Sequence, residues 1–179
     1  MGPSNMPSNC KHRSLGGLVA LMLTAAASSA GAADPPRLTP SGLEVPRYVS
    51  LKYDTVNARN GPDEAHRLLW VYHARGLPVQ VVAETREWRR ICDPEGGLSW
   101  VHKRTTDGRL TAMRVQPTPL ALLASPKAGA KVSAWLRGRS IANLDKCEKG
   151  WCRLKAEGAH GWARETEIWG ASSQVQCKS

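Results

Sequence analysis

The chain repeats one pattern of landmarks twice, and this duplication restricts the possible folds more than any other feature. The passage "RGLPVQVVAETREWRRI" (75–91), followed by "GGLSWVHK" (96–103), returns as "RGRSIANLDKCEKGWCRL" (137–154), followed by "AHGWARE" (159–165). The matched positions, 62 or 63 residues apart, are Gly76 and Gly138, Trp88 and Trp151, Arg90 and Arg153, and Trp100 and Trp162. A constant spacing that carries several residue types indicates an internal duplication. Two copies are too few for a solenoid, so each copy should be a compact unit.

Hydrophobic residues inside each copy follow a period of two. Leu77, Val79 and Val81 are separated by Pro78 and Gln80, which is typical of a strand. Gly, Pro, Asp and Asn separate the short strand-like runs, as in small barrels and sandwiches. The pattern therefore predicts an all-β fold. A unit of about 60 residues buries only about 60% of its unfolded surface, so we expect the two copies to be paired or cross-linked.

The first copy resembles bacterial Src homology 3-like (SH3-like) domains. The resemblance rests on the succession "VNARNGP" (56–62), "RGLPVQVV", "EWRRI" and "GGLSWVHK". It implies two tandem small β-barrels, at 47–112 and 113–170, of a kind that serves as binding or targeting modules in the cell envelope. The second copy has "LALLASPKAG" (120–129) in place of the opening motif. Any role of Asn57 and Arg59 is therefore not carried over to it.

The segments outside the two copies have separate interpretations. Residues 1–32 have the layout of a secretory signal peptide: Lys11 and Arg13, then an apolar run over 15–27, then small residues up to Ala32. The apolar run is shorter than the roughly 20 residues that a spanning helix needs, which argues against a membrane anchor. We expect cleavage near Ala32 and export to the periplasm or beyond. Four prolines in 33–46 predict a flexible linker, and 171–179 forms a C-terminal tail.

The chain is strongly basic. Its formal net charge is +10 at pH 7, and loss of Lys11 and Arg13 with the leader lowers this to +8. Such a charge attracts anionic polymers, of which peptidoglycan is one, while export makes nucleic acid a poor candidate. Simple solubility is the alternative explanation.

Four cysteines remain after the leader: Cys92, Cys147, Cys152 and Cys177. Cys147 and Cys152 flank "EKGW", a hairpin loop whose geometry suits a cross-strand disulfide. The alternative is a catalytic Cys152 with His160 as its base. Cys92 and Cys177 either pair, which would pin the tail to the first copy, or leave Cys177 for an intermolecular bond.

Histidines do not form a metal motif in this sequence. His66, His73, His102 and His160 lack the close two-by-two spacing of structural zinc sites. We therefore expect no metal and no cofactor.

Candidate binding residues come from the two strands that Trp88 and Trp151 open, each directly after a turn. Trp88 with Arg90, and Trp151 with Arg153, should each share the outward face of a strand, where aromatic and arginine side chains suit a binding groove. The alternative is that these tryptophans mainly fill the core, because the chain has no Phe. Asn57 and Arg59 would complete the groove of the first copy.

These residues predict an exported, non-catalytic module that binds peptidoglycan or a segment of a periplasmic protein. An envelope hydrolase that uses Cys or His chemistry and a scaffold for other envelope proteins are the alternatives. The sequence does not determine the oligomeric state. The segment 106–117 is too apolar for a free linker, and we expect it to pair as a strand and hold the two copies together.

Overall fold

A computed structural model describes residues 37–177, and the predicted signal peptide lies outside the described residues. Residues 37–177 form an all-β structure without an α-helix, and none of its helical segments is long and apolar enough to cross a membrane. Two single turns of 3-10 helix cover Lys103–Thr105 and Glu165–Glu167. The strands are β1 (Arg37–Leu38), β2 (Glu44–Val45), β3 (Arg47–Leu51), β4 (Val56–Arg59), β5 (Leu68–Tyr72), β6 (Pro78–Glu84), β7 (Trp88–Cys92), β8 (Leu98–His102), β9 (Thr106–Asp107), β10 (Thr111–Met113), β11 (Leu120–Leu123), β12 (Val132–Leu136), β13 (Ile141–Glu148), β14 (Trp151–Ala156) and β15 (Ala159–Arg164).

The first copy forms a sheet of seven strands in the order β5-β4-β8-β7-β6-β3-β9. Its neighbouring strands are antiparallel, so short turns connect most of them. The period of two predicted from the sequence places alternate side chains inside. The fully buried members of this core include Leu51, Val56, Val79, Ile91 and Val101.

The second copy forms a sheet of six strands in the order β10-β13-β14-β15-β11-β12. Its core includes Leu122, Leu154 and Ala163. In both sheets the hydrogen-bonded ladder has two ends within residues 37–177, so neither closes into the complete barrel that the resemblance implied. The strands near the ends are too short to complete a ring: β9 has two residues and β10 has three.

Residues 37–45 correct the prediction of a flexible linker over 33–46. They form a small hairpin in which β1 pairs with β2. The Glu84 carboxylate, 1% exposed, accepts hydrogen bonds from the Thr39 hydroxyl (2.6 Å) and the Ser41 backbone N–H (3.0 Å), and it pairs with Arg47. A buried acid from β6 therefore fixes a segment whose composition alone indicated a linker.

The segment 106–117 pairs as strands, as the sequence predicted. Thr106–Asp107 (β9) joins the first sheet beside β3, and Thr111–Met113 (β10) joins the second sheet beside β13. The Thr111 hydroxyl lies 2.7 Å from the Ser50 hydroxyl and donates to the Gly76 carbonyl at 2.7 Å. The segment therefore links both sheets. The boundary that we placed between residues 112 and 113 falls inside β10.

The C-terminal tail returns to the first copy. Cys177 forms a disulfide with Cys92 in β7. The Gln80 side chain, fully buried, donates to the Gln174 carbonyl (2.7 Å) and accepts from the Gln176 N–H (2.9 Å). Trp169 donates its indole N–H to the Pro78 carbonyl at 2.8 Å. These contacts attach the C-terminal tail, together with Trp169 just before it, to strands β6 and β7 of the first copy.

Candidate functional site

The outward face of the first sheet brings together most of the residues predicted to bind. Strand register places Arg59 opposite Trp100, Trp100 opposite Arg90, and Trp88 opposite His102. Directly opposed residues in antiparallel strands project from the same side of the sheet. These five side chains therefore form one surface across β4, β8 and β7.

A cleft of about 270 Å³ lies at one end of this surface. Asn57, Arg59 and Trp88 all line it, so the structure unites three of the predicted residues. Arg90 lies outside the cleft, on the continuation of the same face beside Trp100. Trp88 is only 8% exposed. Trp88 therefore lines the cleft and is also packed into the protein, so both roles predicted for it, a binding residue and a buried residue, apply.

Arg59 holds the loop after β4 through a hydrogen bond. The Arg59 guanidinium donates to the His66 carbonyl at 2.8 Å. Asp63 accepts from the backbone N–H groups of Ala65 (2.8 Å) and His66 (3.1 Å), and a hydrogen bond from the His66 ring holds the pKa of Asp63 below its ordinary value. At Gly61 an added Cβ would lie 2.0 Å from the His66 ring. These contacts shape the side of the cleft on which Glu64 lies.

His102 and Arg104 also line the cleft, and sequence reasoning missed both as site residues. The His102 ring packs against Trp88 with centroids 5.2 Å apart. Its Nδ1 accepts from the Arg104 backbone N–H and from Arg104 Nε, each at 3.2 Å. The available signal was the two-residue spacing from Trp100, which puts His102 on the outward face. With two arginines, one glutamate and an asparagine amide, the cleft can bind carboxylate and amide groups.

The second copy repeats the register but not the polar residues. Trp151 lies opposite Arg164 and Arg153 opposite Trp162, as Trp88 and Arg90 lie opposite His102 and Trp100. Leu123 lies opposite Trp162, where the first copy has Arg59.

The strand that corresponds to β4 explains this loss. Val56 and Ala58 of β4 are buried, as are Leu120 and Leu122 of β11. The outward positions between and after them are Asn57 and Arg59 in the first copy, and Ala121 and Leu123 in the second. The expectation that the opening motif is not carried over therefore has a structural counterpart.

Trp151 and Arg153 are engaged by other side chains. The Arg164 guanidinium lies 4.1 Å from the centre of the Trp151 ring, and Trp151 is 7% exposed. Arg153 pairs with Asp145 at 3.6 Å. Trp151 and Arg153, on the outward face of the second sheet, are thus paired with side chains of the same copy, whereas the cleft beside Asn57 is open.

The glycine match between the two copies is wrong by one position. The turn before β6 holds Arg75 and Gly76, with Gly76 at φ +79°, whereas in the turn before β13 the positive φ of +59° belongs to Arg139. Gly76 therefore corresponds to Arg139, and the match of Gly76 with Gly138 was wrong. Gly138 is required for another reason, since an added Cβ would lie 1.9 Å from the Pro117 carbonyl oxygen.

The predicted Cys147–Cys152 disulfide is present, and so is the Cys92–Cys177 pair, which the sequence left open. Cys147 pairs with Cys152 across the hairpin of β13 and β14, and Cys92 pairs with Cys177. Because the nucleophile of a cysteine hydrolase is a thiolate, the bonded Cys152 cannot serve that role.

The family of the chain follows from comparison with known proteins. The family model described as the bacterial SH3 domain matches residues 52–108 and 116–170. No curated protein matches the chain.

Two solved structures from Trichomonas vaginalis share a low similarity with it. NlpC2 is 14% identical over 74% of this chain and 51% of its own, with a TM-score of 0.34. NlpC1 is 14% identical over 74% of this chain and 48% of its own, with a TM-score of 0.32. The chain spans about half the length of these two proteins. The family matches, in contrast, cover more than half of the 179 residues, and the chain belongs to the bacterial SH3 domain family as two tandem copies.

Proposed function

We propose that the protein is an exported, non-catalytic binding module of the cell envelope, with its ligand in the cleft of the first copy. The observation that carries the proposal is the shared outward face, which gathers Asn57, Arg59 and Trp88 around one opening. The ligand is peptidoglycan or a segment of a periplasmic protein. Peptidoglycan is the ligand that we would test first, because its carboxylate and amide groups match the side chains of the cleft.

A binding role is supported by the family and by the state of the cysteines. Bacterial SH3 domains are binding-type domains, and both copies of this chain belong to that family. The cysteine route of the envelope hydrolase that we considered needs a free thiolate at Cys152, which instead bonds Cys147. A scaffold for other envelope proteins remains the second candidate, and the test below separates it from the first.

Export is supported by the two disulfides. Disulfides persist in oxidising compartments and are rare in the cytosol, and the cysteines of both pairs lie within the described chain. The sequence of the leader agrees with this location.

Co-sedimentation with insoluble peptidoglycan tests the proposal. Protein lacking residues 1–32 would be compared with the double variant Asn57→Ala, Arg59→Leu. This variant gives β4 the residues that β11 carries at the matching positions, so the strand should tolerate them. Near-ultraviolet circular dichroism would verify that the loop after β4 keeps its structure without the hydrogen bond from Arg59 to the His66 carbonyl. Arg86→Ala, which removes one exposed positive charge elsewhere on the first copy, is the matched control.

We expect the parent and the Arg86→Ala variant to sediment with peptidoglycan at moderate salt, and the double variant to stay in solution. Binding that salt abolishes equally in all three proteins would mean that only net charge acts, and would contradict a defined cleft. Absence of sedimentation together with recovery of a protein partner would favour the scaffold.

A further inference from the structure

A second cleft, of about 470 Å³, lies in the gap between the two ends of the second sheet. The edge strand β12 lies on one side, and β13 with the β14–β15 hairpin lies on the other. The Arg75–Gly76 turn of the first copy completes the wall, so both copies contribute to it. The residues that matter here are Arg75, Arg109, Trp135, Arg137, Lys155 and Glu157.

The cleft is cationic. Four basic side chains line it, against the single acid Glu157. Arg109 and Lys155 already have acidic neighbours, Asp107 at 3.5 Å and Asp145 at 3.6 Å. Arg75 and Arg137 are exposed and have no ion-pair partner among residues 37–177. Two guanidinium groups are therefore available to an anion from outside.

Trp135 stands beside these arginines. Its side chain is 65% exposed, the highest value among the large hydrophobic residues that are exposed in the described part of the chain. It lies on β12, which pairs only with β11 within residues 37–177 and contains neither Pro nor a charged residue. An edge strand of this kind offers unpaired backbone N–H and C=O groups to another strand.

We propose that this edge and the cationic cleft bind an acidic peptide segment in an extended conformation. The peptide backbone adds to β12, an apolar side chain packs on Trp135, and carboxylates pair with Arg75 and Arg137. A peptide is favoured over a glycan because a peptide backbone can form a hydrogen-bonded ladder with the free edge of β12, which a glycan chain cannot do. A second copy of this chain is a poor occupant, because the net charge of +8 that is left after loss of Lys11 and Arg13 makes two copies repel. This site is separate from the cleft of the first copy.

Fluorescence anisotropy with a labelled, end-blocked octapeptide of alternating glutamate and valine tests the inference. The protein variants are Trp135→Ala, the single variants Arg75→Glu and Arg137→Glu, and the double variant that combines these two. Arg86→Glu, outside the cleft, is the charge-matched control for the single variants. All replaced side chains are exposed, and near-ultraviolet circular dichroism would verify that the fold is kept. We expect the affinity of the double variant for the peptide to fall by at least about tenfold, because it places like charges together. Trp135→Ala should also bind more weakly than the parent. Arg86→Glu should bind like the parent.

Two further probes separate backbone pairing from charge alone. The same peptide with every backbone nitrogen methylated keeps its carboxylates but cannot donate a hydrogen bond to β12 from either edge, and we expect it not to bind. Equal binding of the methylated peptide would overturn the inference, and so would equal losses in the Arg86→Glu control. Binding of an oligogalacturonate in place of the peptide, abolished by the same variants, would also overturn it and identify the cleft as a glycan site.

Discussion

Removal of the Cys92–Cys177 disulfide should cost more stability than removal of the Cys147–Cys152 disulfide. The first bond closes a loop of 85 residues and the second a loop of 5. In the chain-entropy model the stabilisation grows with the logarithm of loop length, which gives about 4.5 kcal/mol for the first bond and about 2 kcal/mol for the second at 25 °C. The expected difference in the free energy of unfolding is therefore about 2.5 kcal/mol.

Paired alanine variants measure this difference. The double variants Cys92→Ala, Cys177→Ala and Cys147→Ala, Cys152→Ala would be unfolded in urea and followed by tryptophan fluorescence. Cys92, Cys177 and Cys152 are buried and Cys147 is exposed, so the first variant also loses more buried sulfur, which adds to the difference in the same direction. Equal losses, or a larger loss for the short loop, would refute the reasoning from loop closure.

Three further predictions follow from single features of the fold. Burial pushes the pKa of Glu84 up, but hydrogen bonds from Ser41, Thr39 and Arg47 outweigh it and hold the pKa at about 2, against an ordinary value of 4.5. The folded pKa is depressed, so this stabilisation is complete above about pH 5 and is lost as the pH falls through 4.5 towards 2. Glu84→Gln should therefore flatten the dependence of the free energy of unfolding, measured in urea, on pH in this range. An unchanged slope would contradict the role of Glu84. Gly76→Ala should destabilise the fold by about 1–2 kcal/mol in thermal unfolding, because its φ of +79° disfavours a side chain, whereas Arg139→Gly at φ +59° should not destabilise it. Limited proteolysis should leave 106–117 uncut, since the segment supplies a strand to each sheet; rapid cleavage there into two stable halves would refute the link between the copies.

The sequence predicted the fold because its strongest signals are local or repeated. The period of two depends only on residues close together in the chain, and the recurrence of Trp88 and Trp100 in the second copy is visible by comparing the sequence with itself. The hairpin disulfide between Cys147 and Cys152 is local in the same sense. Features of this kind can be predicted without knowledge of distant contacts.

The errors arose where a distant residue decides the structure. The hairpin at 37–45 depends on Glu84, about 40 positions away, and no local pattern indicates that contact. The Arg139 turn shows a similar limit, because a glycine one position earlier, Gly138, is required by the Pro117 backbone rather than by its own φ.

The candidate site was predictable in part. Asn57, Arg59 and Trp88 were singled out from motif and alternation, and the structure places them around one cleft. His102 was missed because a lone histidine in a sequence carries no information about the ring that packs on it. The small exposed fraction of Trp88 also depends on the packing of His102 against it, and the alternation of residues along a strand does not reveal that packing.

The most direct test of the central claim is to locate the ligand on the protein. Nitrogen-15 NMR spectra of the chain without residues 1–32 would be recorded during titration with soluble muropeptides. The account predicts that the Asn57 side-chain amide and the Trp88 indole shift in a saturable way, while the Trp151 indole of the second copy does not. Larger shifts at Trp151, or no shift at Asn57 and Trp88 at saturating muropeptide, would contradict a peptidoglycan site in the first copy.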